Sequence, residues 1–444
     1  MSSFFTLFQI IEIKYYAYFL CCITILINLF IVYKSKTINL FLLFQSSLCF
    51  FILNRIFFDI FYSNRILQYG TFGRGELSVD TKYELILYLI IAQIFLFVGY
   101  ISSNLFKLNN LEEDKKDYNL LIYGLIVFFI SAPIYFYKSY LKYQVVMKSG
   151  YLSIHTGIET AIEYPIWTFG VGILLEAAFC FIIASRPSFK IFFLVFIIFF
   201  SLKYFDSMRG QRVLVAIPIV FFVWYVIKNH LMKFNLKSII LCFLSFIISI
   251  YIFTNVRNIK SLDQINLNNI SLAKSTNFLY GQSVSILVLG YMIEFKNEFR
   301  NDDYPYILHK AYMLFNEWEG QSQKTIDTLN SLSDELAYFL NKNLYLKGRG
   351  IGSSFLGDFY DLGFWGYIFS CFITGMLIYL FEKYYSSFKI IRLLSFYFVG
   401  QTLWMARAET FYFFKNIIFL ILIYLFAKLF IIFTKNTKLN FNNW

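Results

Sequence analysis

Long apolar runs separated by short polar links fill most of this chain, and one polar interval of about a hundred residues, 257–357, interrupts them. A helix crossing roughly 30 Å of hydrocarbon needs about 20 predominantly apolar residues. Spans are accordingly expected at 15–33, 37–61, 83–106, 119–137, 166–184, 189–205, 213–228, 238–256, 362–381, 389–406 and 411–433. The predicted fold is all-α: a polytopic integral membrane protein with about eleven transmembrane helices and one large, partly helical extracytoplasmic loop. It divides into an N-terminal transmembrane bundle of about eight spans (1–256), the loop (257–361) and about three C-terminal spans (362–444).

The segment FLYGQSVSILVLGYMIEF, 278–295, is apolar enough to suggest a twelfth span. Gly281, Gln282, Ser283, Ser285 and Gly290 weaken it, and Glu294, Lys296 and Glu298 follow at once, so an interfacial or re-entrant helix is expected. The N-terminus shows neither a basic n-region nor a small-residue cleavage site, so the first span is expected to stay as an anchor. Lys and Arg beside the spans set the sidedness. The loops that begin at Lys34, Lys107, Arg186, Lys228, Lys383 and Lys435 hold 15 such residues, against 11 on the opposite short loops. The first set is therefore expected in the cytoplasm with the C-terminus. The N-terminus and the large loop then lie outside.

Composition narrows the class. Hydrophobic residues make up 59% of the chain and charged residues 15%, far from an ordinary soluble domain. The 57 Phe and 35 Tyr fit an AT-rich codon preference better than an aromatic ligand lining. Cys21, Cys22, Cys49, Cys180, Cys242 and Cys371 all fall in apolar runs, which offers neither a disulfide framework nor a metal site. His155, His230 and His309 are too scattered to supply metal ligands. A net charge of +12 suits anionic lipid or a phosphorylated substrate.

Three polar clusters lie on the expected outer face, where arginine should be scarce. In KYFDSMRGQR, Arg209 and Arg212 stand three residues apart between the sixth and seventh expected spans. If a helix begins there, both share a face at its N-terminus, whose free N–H groups and dipole favour anions. A guanidinium grips phosphate through two parallel hydrogen bonds. A solvated turn among lipid head groups is the alternative. The second cluster, LKGRGIGSSFLGDFYDLGFWG (346–366), closes the polar interval. Gly348, Gly350 and Gly352 alternate around Arg349 and permit positive φ and close backbone approach. Asp358 and Asp361 follow at the expected mouth of the ninth span, where Asp358 is either a general base or half of an ion pair. The third is ARAET (406–410), in which Arg407 is a candidate anion ligand and Arg407 and Glu409 suit a tight turn with structural pairing.

Other charges have plainer readings. Arg55 and Asp59, four residues apart, are expected to satisfy each other. Glu176, mid-span, needs a partner or a proton, and a structural ion pair is favoured over a relay. His155 and His309 could exchange protons on the outer side, but lone loop histidines are usually bystanders.

These motifs resemble those of the O-antigen and capsular polysaccharide polymerases called Wzy, membrane glycosyltransferases that use polyprenyl-linked donors. The matching features run from about residue 145 to the C-terminus: GYLSIHTG, SMRGQR, NFLYGQSVSILVLGY, GRGIGSSFLGDFYDLGFWG and ARAETF, in that order. Asp358 stands where the family's pattern suggests Glu before an aromatic pair. The resemblance implies a multi-pass enzyme of the bacterial cytoplasmic (inner) membrane. It would transfer a glycan from undecaprenyl pyrophosphate to a second lipid-linked oligosaccharide repeat unit at the outer face. It implies that outer arginines, here Arg209, Arg212, Arg349 and Arg407, neutralise the departing pyrophosphate by preorganised electrostatics. Asp358 or Glu409 would deprotonate the acceptor hydroxyl. No cofactor, metal or nucleic acid is expected. The partners implied are the lipid-linked oligosaccharide, membrane lipid and, as a further candidate, a chain-length regulator protein. A glycan ligase, a lipid-linked oligosaccharide flippase and a structural assembly protein are the competing classes. The flippase would show two similar halves, and no internal repeat is present.

Overall fold

The structure is a computed structural model that describes residues 2–35, 39–62, 66–67, 70–103, 115–157, 164–211, 213–229, 280–299, 304–314, 320–329 and 331–441. Among these residues the chain is helical, with no strand. In the first half the helices are α1 (Ser2–Ser35), α2 (Leu40–Leu48), α3 (Asn54–Tyr62), α4 (Val79–Ser102), α5 (Tyr118–Ser149), α6 (Val171–Ala184), α7 (Phe189–Ser207) and α8 (Val213–Lys228). The polar interval and its end supply α9 (Ser285–Phe299), α10 (His309–Tyr312), α11 (Gln323–Thr328), α12 (Leu332–Leu340), α13 (Lys342–Leu346) and α14 (Phe355–Tyr360). The chain finishes with α15 (Gly363–Tyr384), α16 (Lys389–Trp404) and α17 (Phe414–Phe441).

Six segments among the described residues are long and apolar enough to cross a membrane: Glu12–Ser35, Leu40–Phe61, Val79–Ser102, Tyr118–Ser149, Ile166–Ala184 and Gly363–Tyr384. The expected eleven is thus reached only in part. The segments expected at 189–205, 213–228, 389–406 and 411–433 are helical as well. However, α7 carries Lys190, Lys203 and Asp206, and α8 and α16 have 16 residues each. At 1.5 Å per residue such a helix reaches about 24 Å, short of the hydrocarbon thickness. The span expected at 238–256 lies outside the described residues, as does much of the expected loop. Segment 278–295 contributes the 15-residue α9, also too short to cross. Its Ile286, Leu287, Val288, Leu289 and Met292 are buried, packed on α4, α12 and α14.

Backbone-to-backbone contact sets the bundle's centre. A Cβ on Gly99 of α4 would lie 2.0 Å from the Phe372 carbonyl oxygen, and one on Gly375 of α15 would lie 2.0 Å from that of Leu96. Larger residues would force the two helices apart, the use membrane bundles make of small residues. The second span is interrupted by a π-helical turn, Cys49–Leu53, between α2 and α3. The Ser283 hydroxyl donates to the Phe50 carbonyl at 3.0 Å, satisfying an acceptor in this irregular stretch. Arg55 and Asp59 attract each other as expected, and each also has a further partner. Asp59 accepts the Leu67 N–H at 2.7 Å, and Arg55 donates to the Tyr280 carbonyl at 3.2 Å while lying 4.5 Å over its ring.

Among its described residues the polar interval forms mostly short helices. Ser322, Ser331 and Asn341 accept the N–H groups of Thr325, Asp334 and Leu344, starting α11, α12 and α13. These helices are tied together and to the spans. Tyr306 donates its hydroxyl to Glu335 at 2.5 Å and its N–H to Asp361 at 3.0 Å. Lys296 pairs with Asp361 at 3.2 Å.

Candidate active site

A cavity of about 1430 Å³ opens between the loop after α3, the loop after α5, the turn joining α16 to α17, and helices α10, α12 and α13. Ordinary small-molecule pockets measure about 300–1,000 Å³, so this one suits a larger ligand. Its wall carries His155, His309, Lys310, Arg349, Arg407, Asp334 and Glu409. Two glycines of the GRGIG turn adopt positive φ, Gly348 at +82° and Gly352 at +81°. A Cβ on Gly348 would approach the Leu152 carbonyl oxygen to 3.0 Å, so glycine lets this turn sit on the loop after α5.

Glu409 is the most heavily engaged group on the wall. Its Oε1 accepts the hydroxyls of Ser331 at 2.8 Å and Ser333 at 2.7 Å. Its Oε2 lies 2.7 Å from Lys310 Nζ and 3.7 Å from His309 Nε2. Burial opposes the charge of this carboxyl, but Lys310 and then His309 outweigh it and hold the group well below the usual carboxylate range. Lys310 is raised in turn, since the attraction of Glu409 exceeds the effect of its own burial. Glu409 is therefore a firm anion, a weak proton acceptor and the anchor of two neighbouring cations.

Two further carboxyls feel that anion. Burial and then the charge of Glu409 push Asp358 up to about 8. The same two causes push Asp334 up to about 6. Asp334 lines the cavity, whereas Asp358 is 1% exposed and sits behind the wall. Asp358 Oδ2 accepts the Thr410 N–H at 2.6 Å, fixing the residue next to Glu409. A general base must reach the proton it takes, and Asp358 is buried and does not line the cavity.

Among the arginines, Arg349 is exposed and has no ion-pair or hydrogen-bond partner for its guanidinium among the described residues. Arg407 donates to Gln282 Oε1 at 2.5 Å and lies 5.8 Å from the Phe51 ring centre and 5.9 Å from that of Trp404. Arg209 does not line the cavity. It is buried, with Nε 2.8 Å from Asp206 Oδ1, and Asp206 also accepts the Tyr135 hydroxyl at 2.6 Å. A Cβ on the next residue, Gly210, would come 2.4 Å from the ring of Tyr151, a cavity-lining residue. The hairpin thus braces the wall from behind. Arg212 lies outside the described residues.

The comparisons with known proteins bear on the chain as a whole. The family model for O-antigen polysaccharide polymerase Wzy matches residues 1–439. The chain belongs to the Wzy family. Searches of curated proteins and of solved structures find no match. As a Wzy-family protein it acts on lipid-linked oligosaccharide repeat units in membranes.

In this Wzy-family chain the geometry gathers Arg349, Arg407 and Glu409 around one cavity and sets Asp358 just behind. It adds Lys310, Asp334 and both outer histidines, of which the sequence reading gave only the histidines passing notice. Lys310 and Asp334 sit in no recognisable motif, and Glu409, which pairs with the first and repels the second, comes from another part of the chain. The half-buried Glu176 meets the favoured expectation: Lys203 pairs with it at 2.6 Å and Tyr397 donates to it at 2.5 Å.

Asp358→Asn separates a neutral structural acid from a base. A carboxyl raised from 3.8 to about 8 on folding makes the folded state take up a proton between those values. Stability from this group is therefore full below the unfolded value and is lost as pH rises toward the folded one. Asn mimics the protonated form and still accepts from Thr410. The variant is expected to melt above wild type near pH 8, with the gap shrinking toward about pH 5, and to keep its activity. A loss of activity of about 10²-fold or more would restore Asp358 as the base.

Proposed function

We propose that this protein is a polysaccharide polymerase working at the outer face of the bacterial cytoplasmic membrane. It transfers a glycan from undecaprenyl pyrophosphate to a lipid-linked oligosaccharide repeat unit. The observation that carries the reading is the cavity itself. It is roomy, it lies where span ends meet the polar interval, and its wall holds Arg349, Arg407 and Lys310 beside carboxylates. Displacing a pyrophosphate lipid puts negative charge on the leaving oxygen, and fixed cations facing that oxygen lower the barrier. Arg349 and Arg407 are assigned to that charge. Glu409 keeps Lys310 and His309 in place, and Asp358 secures the turn that carries Glu409. Arg209 supports the wall through the SMRGQR hairpin.

The test is a strain lacking the protein, with its lipid-linked glycans and surface polymer analysed together. Loss of polymer with single repeat units retained on lipid and accessible from outside the membrane is expected. Single units held inside would mean a flippase. Finished polymer stranded on the lipid carrier would mean a ligase.

A further inference from the structure

We propose that Asp334 is the general base of the transfer reaction, accepting the proton of the attacking acceptor hydroxyl. The inference rests on the polymerase reading above. Three carboxyls converge here, and geometry distinguishes them. Asp358 is shut behind the wall. Glu409 reaches the cavity, but two serine hydroxyls, Lys310 and His309 crowd its oxygens. Asp334 lines the same cavity under a lighter tether, the Tyr345 hydroxyl donating to Oδ1 at 3.2 Å.

Its placement is rigid. Asp334 stands in the first turn of α12, where Ser331 caps its N–H at 3.4 Å. Tyr345 is fully buried, and its carbonyl accepts the Gly348 N–H at 2.9 Å, which links the tether to the turn bearing Arg349. The base and one proposed pyrophosphate ligand are thus held by neighbouring parts of one unit. A carboxyl near 6 is ionised at neutral pH yet more basic than an ordinary aspartate, as a general base requires. The groups facing it are Glu409, Ser331, Tyr345 and Lys310. From the packed helices, α11 turns Lys324 and Asp327 outward, while on α9 Lys296 pairs with Asp361, Glu294 accepts from Ser78 and Glu298 is exposed.

The step balances without any further reactant. The acceptor oxygen forms a bond to the anomeric carbon of the donor sugar. The bond from that carbon to the pyrophosphate oxygen breaks, and its electron pair leaves on the pyrophosphate. The acceptor proton passes to Asp334, which returns it to water after the product departs.

The experiment uses the full-length protein in detergent with a lipid-linked repeat unit, following release of the pyrophosphate lipid from about pH 5 to about pH 8. Wild type is expected to lose rate below about pH 6. Asp334→Asn should fall by about 10²–10⁴-fold and lose that acid limb, with substrate affinity kept and a melting temperature no lower than that of wild type. Asp334→Glu should keep the limb and part of the rate, and it decides the matter if the Asn variant does not fold. A wild-type rate and profile in Asp334→Asn would overturn the proposal, as would equal losses of affinity and turnover. Failure of wild type itself to release the lipid would instead reject the polymerase reading.

Discussion

Arg407→Ala is expected to lower polymer formation by about 10²–10³-fold while leaving a protein that folds and reaches the membrane. The guanidinium lines the cavity, and its contacts include the rings of Phe51 and Trp404 and the side-chain amide and backbone carbonyl of Gln282. Phe51 belongs to the π-helical turn of the second span, so the irregular backbone there serves to place a ring against a cation. A fixed cation acts on the departing pyrophosphate without reorganising at the moment of reaction, which is why its loss weighs on turnover. Arg407→Lys should rescue only in part, because an ammonium keeps the charge but loses the planar fork and its ring contacts. Quantified surface polymer, set against protein level and melting temperature, checks both variants. Full polymer in Arg407→Ala would place the pyrophosphate elsewhere, with Arg349 the next candidate.

Features carried by local sequence were legible before the structure. The fifth expected span, 166–184, coincides with Ile166–Ala184, and the second, 37–61, with Leu40–Phe61, because apolar length alone defines them. The glycine-rich turn and the ARAET turn were legible too, since glycine spacing and a charge between two spans are visible in one dimension. What the sequence hid was pairing across distance. Arg55 and Asp59 attract each other as their helical spacing suggests, but the sequence does not show the Leu67 N–H that Asp59 accepts or the Tyr280 carbonyl that Arg55 donates to. Arg209 resembles an anion ligand because its spacing to Arg212 is visible in the sequence, whereas its burial against Asp206 is not. Lys310 and Asp334 carry no motif at all. Only folding brings them to Glu409, and only then do their altered proton affinities exist.

Glu409→Gln tests that assembly directly, and it should be among the most damaging single changes. The amide keeps the shape and can still accept from Ser331 and Ser333, but it removes the charge facing Lys310 and His309. Breaking one side of a buried ion pair costs about 3–5 kcal/mol. The lower end applies here, because the Lys310 side chain remains 24% exposed. A lowered melting temperature in detergent is therefore expected, with recovery in the double variant Glu409→Gln with Lys310→Met, which removes the orphaned cation. Activity should not recover with it, because the wall would lack both charges. The single variant also reaches the proposed base. Glu409 is the second cause, after burial, of the raised proton affinity of Asp334, and its loss leaves Lys310 acting on Asp334 alone. The acid limb of the remaining activity should then move below about pH 6. An unchanged melting temperature together with an unmoved limb would show that the Glu409 charge is coupled to neither neighbour. The cluster would then be three separate groups sharing a wall.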